Sequence, residues 1–210
     1  MPTDTFYRLP EEKRNRLVVA IYDELARVPV TEMSINRIVH GAGISRGSFY
    51  QYFADRDDLI RFLLERVDGC ISDYITTAAP ACGGDPFELL RRILKGVRQL
   101  SNDPANKAFC TNLLTHLRAN GDVSHCRSDT FAPERITEWF DAHFDRSMLN
   151  IEAPEDFMLM AELLQTVLRS TIAQMFTPGA DADAIERMFS RKLTILQRGM
   201  MKKEGERHAC

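Results

Sequence analysis

The chain has 210 residues, 44% of them hydrophobic and 27% charged, with a formal net charge of −3. That apolar content supports a packed core and excludes wholesale disorder. The near-neutral balance excludes binding to nucleic acid through bulk positive charge, so any such surface has to be local.

Met1-Pro2-Thr3-Asp4-Thr5 carries neither the basic stretch nor the apolar run of a signal peptide. No segment approaches the roughly 20 apolar residues of a membrane span. A cytoplasmic location without membrane attachment is expected. The five cysteines, Cys70, Cys82, Cys110, Cys126 and Cys210, are odd in number and widely spaced. They read as reduced, partly buried thiols rather than a disulfide framework or zinc site.

The whole chain reads as helix, since no stretch alternates apolar and polar residues between turn signals. A first helix starts near Pro10-Glu11-Glu12, where proline and acids suit a helix N-terminus. Leu17, Val18, Ile21, Leu25 and Val28 then recur at helical spacing, and Pro29 stops the run. Ser34 is placed to cap a short second helix through Ile35, Ile38 and Val39. Gly41-Ala42-Gly43 ends it, with Gly43 able to take the left-handed conformation of a tight turn. Ser45 caps a third helix through Tyr52, and Asp55 caps a long fourth one over residues 56–78. Pro80 to Pro86 reads as a loop. Further helices are expected near 87–101, 104–119, 133–149, 155–176 and 181–203, with a surface loop from Gly121 to Ser128.

Two short helices joined by a glycine-containing turn are the helix-turn-helix layout. In the segment from Ser34 to Leu59, Ile35, Ile38, Val39, Ala42, Ile44, Phe49 and Phe53 form the inner face. Ser45, Arg46, Gly47, Ser48, Tyr50, Gln51 and Tyr52 are left for the outer face of the third helix. Arg46 suits a bidentate contact with guanine, and Gln51 one with adenine. Gly47 lets a backbone approach closely. Ser34, Asn36 and Arg37 lie at the start of the preceding helix, and Arg56 and the amides that follow it suit phosphate oxygens. Residues 1–58 carry eight Lys or Arg and nine Asp or Glu, a net of −1, so the acids are expected away from this face. His40 reads as a polar helix-end residue.

The stretch AGISRGSFYQYFADRDDL resembles the recognition-helix signature of the TetR/AcrR family. LPEEKRNRLVVAIYDELA resembles that family's first helix and SINRIVHGAGI its second, so the similarity covers about residues 6–64. Tyr50 matches a phosphate-touching tyrosine. Arg56 stands where a lysine is common, and Pro29 lies where the first helix usually ends at a glycine. The resemblance implies an all-α fold of about nine helices. A helix-turn-helix DNA-binding head would occupy residues 1–55, and a ligand-binding and dimerisation body residues 56–210. It implies a homodimer on double-stranded operator DNA, nucleoid-associated when bound, and a small-molecule effector of unknown identity. The expected function is a repressor released by that ligand. An activator, or a DNA-bound recruiter of a protein partner, is the alternative.

A dimer places two recognition helices about 34–36 Å apart on one face of the duplex. The wide apolar faces over 155–176 and 181–203 suggest the interface. Its candidates are Phe157, Met160, Leu164, Leu168, Ile172, Met188, Phe189, Ile195 and Leu196. Candidate lining residues of a ligand pocket are Phe109, Leu113, His116, Leu117, Trp139, Phe140, Phe144, Met158 and Leu164. No metal is expected, because His125-Cys126 has no third ligand at fixed spacing. No cofactor is expected either. No nucleophile elbow, zinc-protease, phosphate-loop or dinucleotide motif occurs, so an enzyme is not expected.

Overall fold

The computed structural model describes residues 2–119, 144–153 and 155–202. Nine α-helices occur among the described residues: α1 (Asp4–Tyr7), α2 (Glu11–Arg27), α3 (Ile35–Ala42), α4 (Arg46–Tyr52), α5 (Arg56–Ala78), α6 (Pro86–Ser101), α7 (Pro104–Ala119), α8 (Asp156–Met175) and α9 (Ala182–Met200). They contain no strand, and one isolated bridge pairs Leu149 with Met201. The all-α expectation holds.

The helices divide into two compact units. The first runs to Gly69 and takes in the segment from Asn102; the second holds Cys70–Ser101 and the described residues from Phe144 onward. The boundary read from the sequence, at residue 55, differs from this division on two counts. α5 contributes Leu59, Ile60, Phe62 and Leu63 to the first core, and α7 adds Phe109, Leu113 and Leu117. A face repeating every four residues, as α7 has, needs a partner surface. Here α2 supplies it, with the Tyr22 and Phe109 rings stacked at 4.2 Å. Asn112 Nδ2 also donates to the Leu25 carbonyl, 2.7 Å away.

The first core is centred on α2, where Leu17, Ile21 and Leu25 are fully buried. Its aromatic floor joins Phe49 and Phe53 to Phe6, Tyr52 and Phe62, with ring centroids 5.0 to 6.3 Å apart. Phe6 belongs to α1, which the sequence reading missed because four residues are too few to show periodicity. The segment before α1 also closes the end of α4. Thr3 N donates to the Tyr52 carbonyl at 3.0 Å, and Thr3 Oγ1 to that of Gln51 at 2.6 Å. Carbonyls that a helix C-terminus leaves without intrahelical donors are thereby satisfied.

In the second unit, Ala79, Cys82, Leu89, Ile93 and Phe144 form a cluster, with Ile75, Ala78, Val97 and Leu168 packed against it. Tyr74 Oη donates to the Arg92 carbonyl at 2.9 Å. Arg98 Nη2 donates to Asp183 Oδ1 at 2.8 Å, and Arg91 to Gln197, tying α6 to α9. Of the helix expected over 133–149, only residues 144–149 are described, and they are not α-helical. Residues Arg146–Met148 form a 3-10 turn capped by Asp145. Asn150 N and Met148 O pair instead with Met200 O and Lys202 N. The Gly121–Ser128 loop lies outside the described residues.

Phe53 is the central ring of the first core, and removing it leaves a cavity under both α4 and α5. Phe53→Ala is expected to lower stability by about 3–5 kcal/mol, measurable as a fall in the urea midpoint.

Candidate nucleic-acid interface

The α3–α4 hairpin is fixed by one buried carboxylate. Glu24 projects from α2 with its side chain only 3% exposed. It accepts from Arg27 through Nε at 3.0 Å and Nη2 at 2.8 Å, from Arg37 Nε at 3.2 Å and from the Ser34 amide at 2.9 Å. Burial works to raise its pKa. The hydrogen bonds from Arg27 and Ser34, with the charges of Arg27 and Arg37, outweigh burial and hold it below the ordinary carboxylate value. Ser34 precedes α3 as expected, but its hydroxyl makes no capping bond; its amide is engaged by Glu24 instead.

The turn follows the sequence closely. Gly43 has φ 66° and ψ 37°, the left-handed conformation that ends α3. Ser45 Oγ accepts from the Ser48 amide at 3.0 Å and lies 2.8 Å from the Ser48 hydroxyl. Phe49 and Phe53 are buried completely, which leaves the opposite face of α4 outward.

On that outward face, Arg46 Nη1 donates to Asn36 Oδ1 at 2.7 Å. Arg46 Nη2 is 3.5 Å from Tyr50 Oη, and the guanidinium carbon lies 5.8 Å from the Tyr50 ring centroid. Tyr50 is 44% exposed. Gln51 is exposed as well. A Cβ built on Gly47 would meet nothing nearer than Ser45 Oγ at 3.8 Å. The fold itself therefore makes no demand for glycine there.

Three candidates stand elsewhere. Tyr52, expected on the outer face, is 8% exposed and packs into the aromatic floor; a seven-residue helix that buries 49 and 53 also draws 52 inward. Arg56 donates to the carbonyls of Thr31 at 3.2 Å and Met33 at 3.1 Å, bracing the turn before α3. Arg37 is joined to Glu24. At the start of α5 the Asp58 amide is already engaged, donating to Asp55 Oδ1 at 2.7 Å, and just before it the Ala54 amide donates to Asp58 Oδ2 at 3.1 Å.

Comparison with known proteins decides the family. Residues 17–62 match the family described as "Bacterial regulatory proteins, tetR family", and residues 85–200 match "Tetracyclin repressor-like, C-terminal domain". The chain belongs to the TetR family. Its members are ligand-responsive DNA-binding transcriptional regulators, typically dimeric repressors. A TetR-family regulator from Chloroflexus aurantiacus is 28% identical, with TM-score 0.55, over 97% of this chain and 100% of that one. One from Pectobacterium atrosepticum shares the fold at TM-score 0.67 with 20% identity, over 92% and 96% of the two chains. The HTH-type transcriptional regulator AcrR of Shigella flexneri is 24% identical over 106 residues, 50% of this chain. The match spans about half the length of that curated relative, 49%.

The candidate pocket and interface residues lie in different surroundings. Phe109, Leu113 and Leu117 lie in the first unit's core against α2, with His116 half-buried on the same helix. Phe144 and Leu164 are buried in the second unit, and Met158 is 45% exposed on its surface. Trp139 and Phe140 lie outside the described residues. Of the interface candidates, Phe157, Leu164 and Phe189 are each 2% exposed and face inward. Met160, Leu168, Ile172 and Leu196 are half-buried. Met188 and Ile195 do point out, 54% and 61% exposed, and Leu159 and Leu163 join them at 54% and 50%. These last two, four residues apart, were not among the candidates.

Among the described residues, no group of His, Cys, Asp and Glu is arranged to hold a metal ion, and no helix is long and apolar enough to cross a membrane. Cys82 is buried and donates to the Ala78 carbonyl; burial raises the Cys110 thiol to about 11.

Glu24→Gln is expected to destabilise the protein by about 1–3 kcal/mol at pH 7, since it weakens charge-assisted bonds to a buried acceptor. A carboxyl with a lowered folded pKa stabilises above its unfolded value, and that stability is lost as pH falls through the folded value. Wild-type urea midpoints should therefore drop below about pH 4, and the Glu24→Gln protein should show a flatter acid limb.

Proposed function

We propose that this chain represses transcription as a homodimer, reading operator DNA with α3 and α4 and leaving it when a small-molecule effector binds the second unit. The observation that carries this reading is the outward face of α4. Arg46, Tyr50 and Gln51 stand there over a fully buried Phe49–Phe53 floor, beside a glycine that the fold does not require. A rigid floor holds side chains at fixed spacing, which base readout needs. Gly47 suits close approach by a phosphate backbone. The residues of this face, with Asn36, Ser45 and Ser48, form the proposed DNA contact; Arg37 and Arg56 support it from behind.

Leu159, Leu163, Met188 and Ile195 are the proposed centre of the dimer interface, because large aliphatic groups this exposed gain by burial against a second copy. α5 is the proposed route of ligand response. It places Leu59 and Leu63 in the first core and has Ile75 and Ala78 packed against the second cluster. A ligand that favours one direction of this helix shifts the head between DNA-competent and incompetent populations, with coupling of about 1–3 kcal/mol. The printed name of one fold relative, a gamma-butyrolactone receptor, fits a small-molecule effector in general, and the ligand class here is open. A cytoplasmic, nucleoid-associated location goes with this reading, and the chain is not an enzyme in it.

Fluorescent DNA from the upstream region of its own gene tests the reading. Tight binding that resists competitor DNA and weakens with salt is expected. Tyr50→Ala and Gln51→Ala should each cost about tenfold or more in affinity, with melting temperatures little changed. Gly47→Ala should hold or raise stability by up to about 1 kcal/mol while weakening the complex. Binding equal to that of random DNA, both there and in a genome-wide fragment selection, would remove the proposal.

The interface has its own test. Leu163→Asp combined with Ile195→Asp is expected to give a folded monomer in sedimentation that binds operator at least tenfold more weakly. A dimer that survives both changes would place the interface elsewhere.

A further inference from the structure

We infer that Asn36 and Arg46 act as one specificity unit that reads guanine over adenine, because the bond between them engages the Asn36 oxygen and orients the Arg46 donors. This rests on the proposal that the hairpin enters the major groove.

A free asparagine side chain presents one acceptor oxygen and one donor NH2 group, a pair that complements the N6 donor and N7 acceptor of adenine. In this structure that oxygen is already engaged at one of its two lone pairs, since Arg46 Nη1 donates to Asn36 Oδ1 at 2.7 Å. The amide orientation follows from chemistry, because a guanidinium has no acceptor and only the oxygen can face it. What remains on Asn36 is the NH2 group and one lone pair of Oδ1, which lies beside the guanidinium. What remains on Arg46 is only donors, with Nη2 held near Tyr50 Oη at 3.5 Å and the group lying beside the Tyr50 ring. The side chains of Asn36 and Arg46 together therefore present mostly donors.

Guanine is the one base whose major-groove edge offers two acceptors, N7 and O6, with no donor. Adenine puts its N6 hydrogens, and cytosine its N4 hydrogens, against the same donors. The pair thus selects guanine by fit and disfavours adenine, whose N6 hydrogens meet those donors, the repulsive element that specificity needs. Its geometry is set before DNA arrives. Asn36 stands on α3, Arg46 and Tyr50 stand on α4, and the Gly43 turn fixes the two helices to each other. An arginine held at two points loses less freedom on binding than one that is free in solvent.

The consequence is a prediction about what happens when Arg46 is removed. Asn36 then recovers the whole acceptor capacity of its oxygen and is free of the neighbouring guanidinium, and the same position of the operator should change its preferred base. The experiment is selection of duplexes from a random pool by the full chain, in wild-type form and as Arg46→Ala, Asn36→Ala and the double variant. Both residues are exposed, and circular dichroism melts check that each variant folds. Wild type is expected to enrich one guanine at symmetric positions of the two half-sites, and to lose about 5- to 100-fold in affinity when adenine replaces it. Arg46→Ala should switch that position to adenine. Asn36→Ala should keep guanine with weaker discrimination, and the double variant should show no preference there.

Guanine preference that persists in Arg46→Ala overturns the inference, as does loss of guanine without a gain of adenine. A wild-type motif lacking such a guanine overturns it too. If wild type enriches no duplex at all, the failure is of the DNA-reading proposal itself, and the specificity unit falls with it.

Discussion

The arrangement of the head depends on the Glu24 carboxylate. Its four hydrogen bonds draw on three places in the chain: the same helix at Arg27, the turn at Ser34 and the next helix at Arg37. A buried charge is costly unless fully paired. The cost is limited here because both arginines keep their outer parts in water, 44% and 63% exposed. The bond to the Ser34 amide matters most for geometry. It satisfies a donor that α3 leaves open at its first turn, and it sets where that helix begins relative to α2. From the other side, Arg56 holds the carbonyls of Thr31 and Met33. The short, irregular segment before α3 is thus braced at its amide by an acid and at its carbonyls by a base.

This bracing explains how a head with no excess of positive charge is compatible with reading DNA. Arg27, Arg37 and Arg56 are spent on internal partners, and Arg46 is the arginine left on the outer face of α4. Phosphate attraction scales with the number of cations on the backbone, so such a head gains little from non-specific attraction. Selectivity has to come from base edges, where one well-held arginine and a few polar groups carry much of the discrimination. Preorganisation becomes correspondingly important, and the Phe49–Phe53 floor supplies it.

The features legible in the sequence were those fixed by local chemistry. Gly43, the Ser45 and Asp55 caps, Pro29 as a helix stop and the inward Phe49 and Phe53 each depend on a few neighbouring residues, and each stands as read. The features that were not legible depend on partners distant in sequence. Glu24 looked like one acid among several on a helix face; only the return of α3 at Ser34 and Arg37 makes it central. Tyr52 has an amphipathic side chain, and either face of a short helix suits it until Phe6 arrives from the N-terminal segment. Phe109, Leu113 and Leu117 were read as candidate pocket lining; their spacing of four makes an apolar stripe, but a stripe does not say which surface covers it, and α2 took that place.

The same limit is sharpest on α8 and α9, and there it teaches something about the apolar faces themselves. Periodicity marks an arc of apolar positions without dividing it. The structure divides it by position around the helix. Phe157 and Leu164 on α8, and Phe189 and Leu193 on α9, turn inward, where the two rings fill volume between helices and gain most from burial. The aliphatic groups Leu159, Leu163, Met188 and Ile195 turn outward. Leucine 159 and leucine 163 stand one turn apart on α8, and Met188 and Ile195 stand two turns apart on α9, so each helix carries a narrow outer ridge beside its broad inner face. Narrow ridges of this spacing suit the grooves of another helix pair. A helix whose only task was to close its own core would have no use for the second ridge, and water would be the cheaper neighbour for polar residues in those positions. The width of the apolar arc, more than any single residue in it, is what argues that the folded protomer is not the final state of burial.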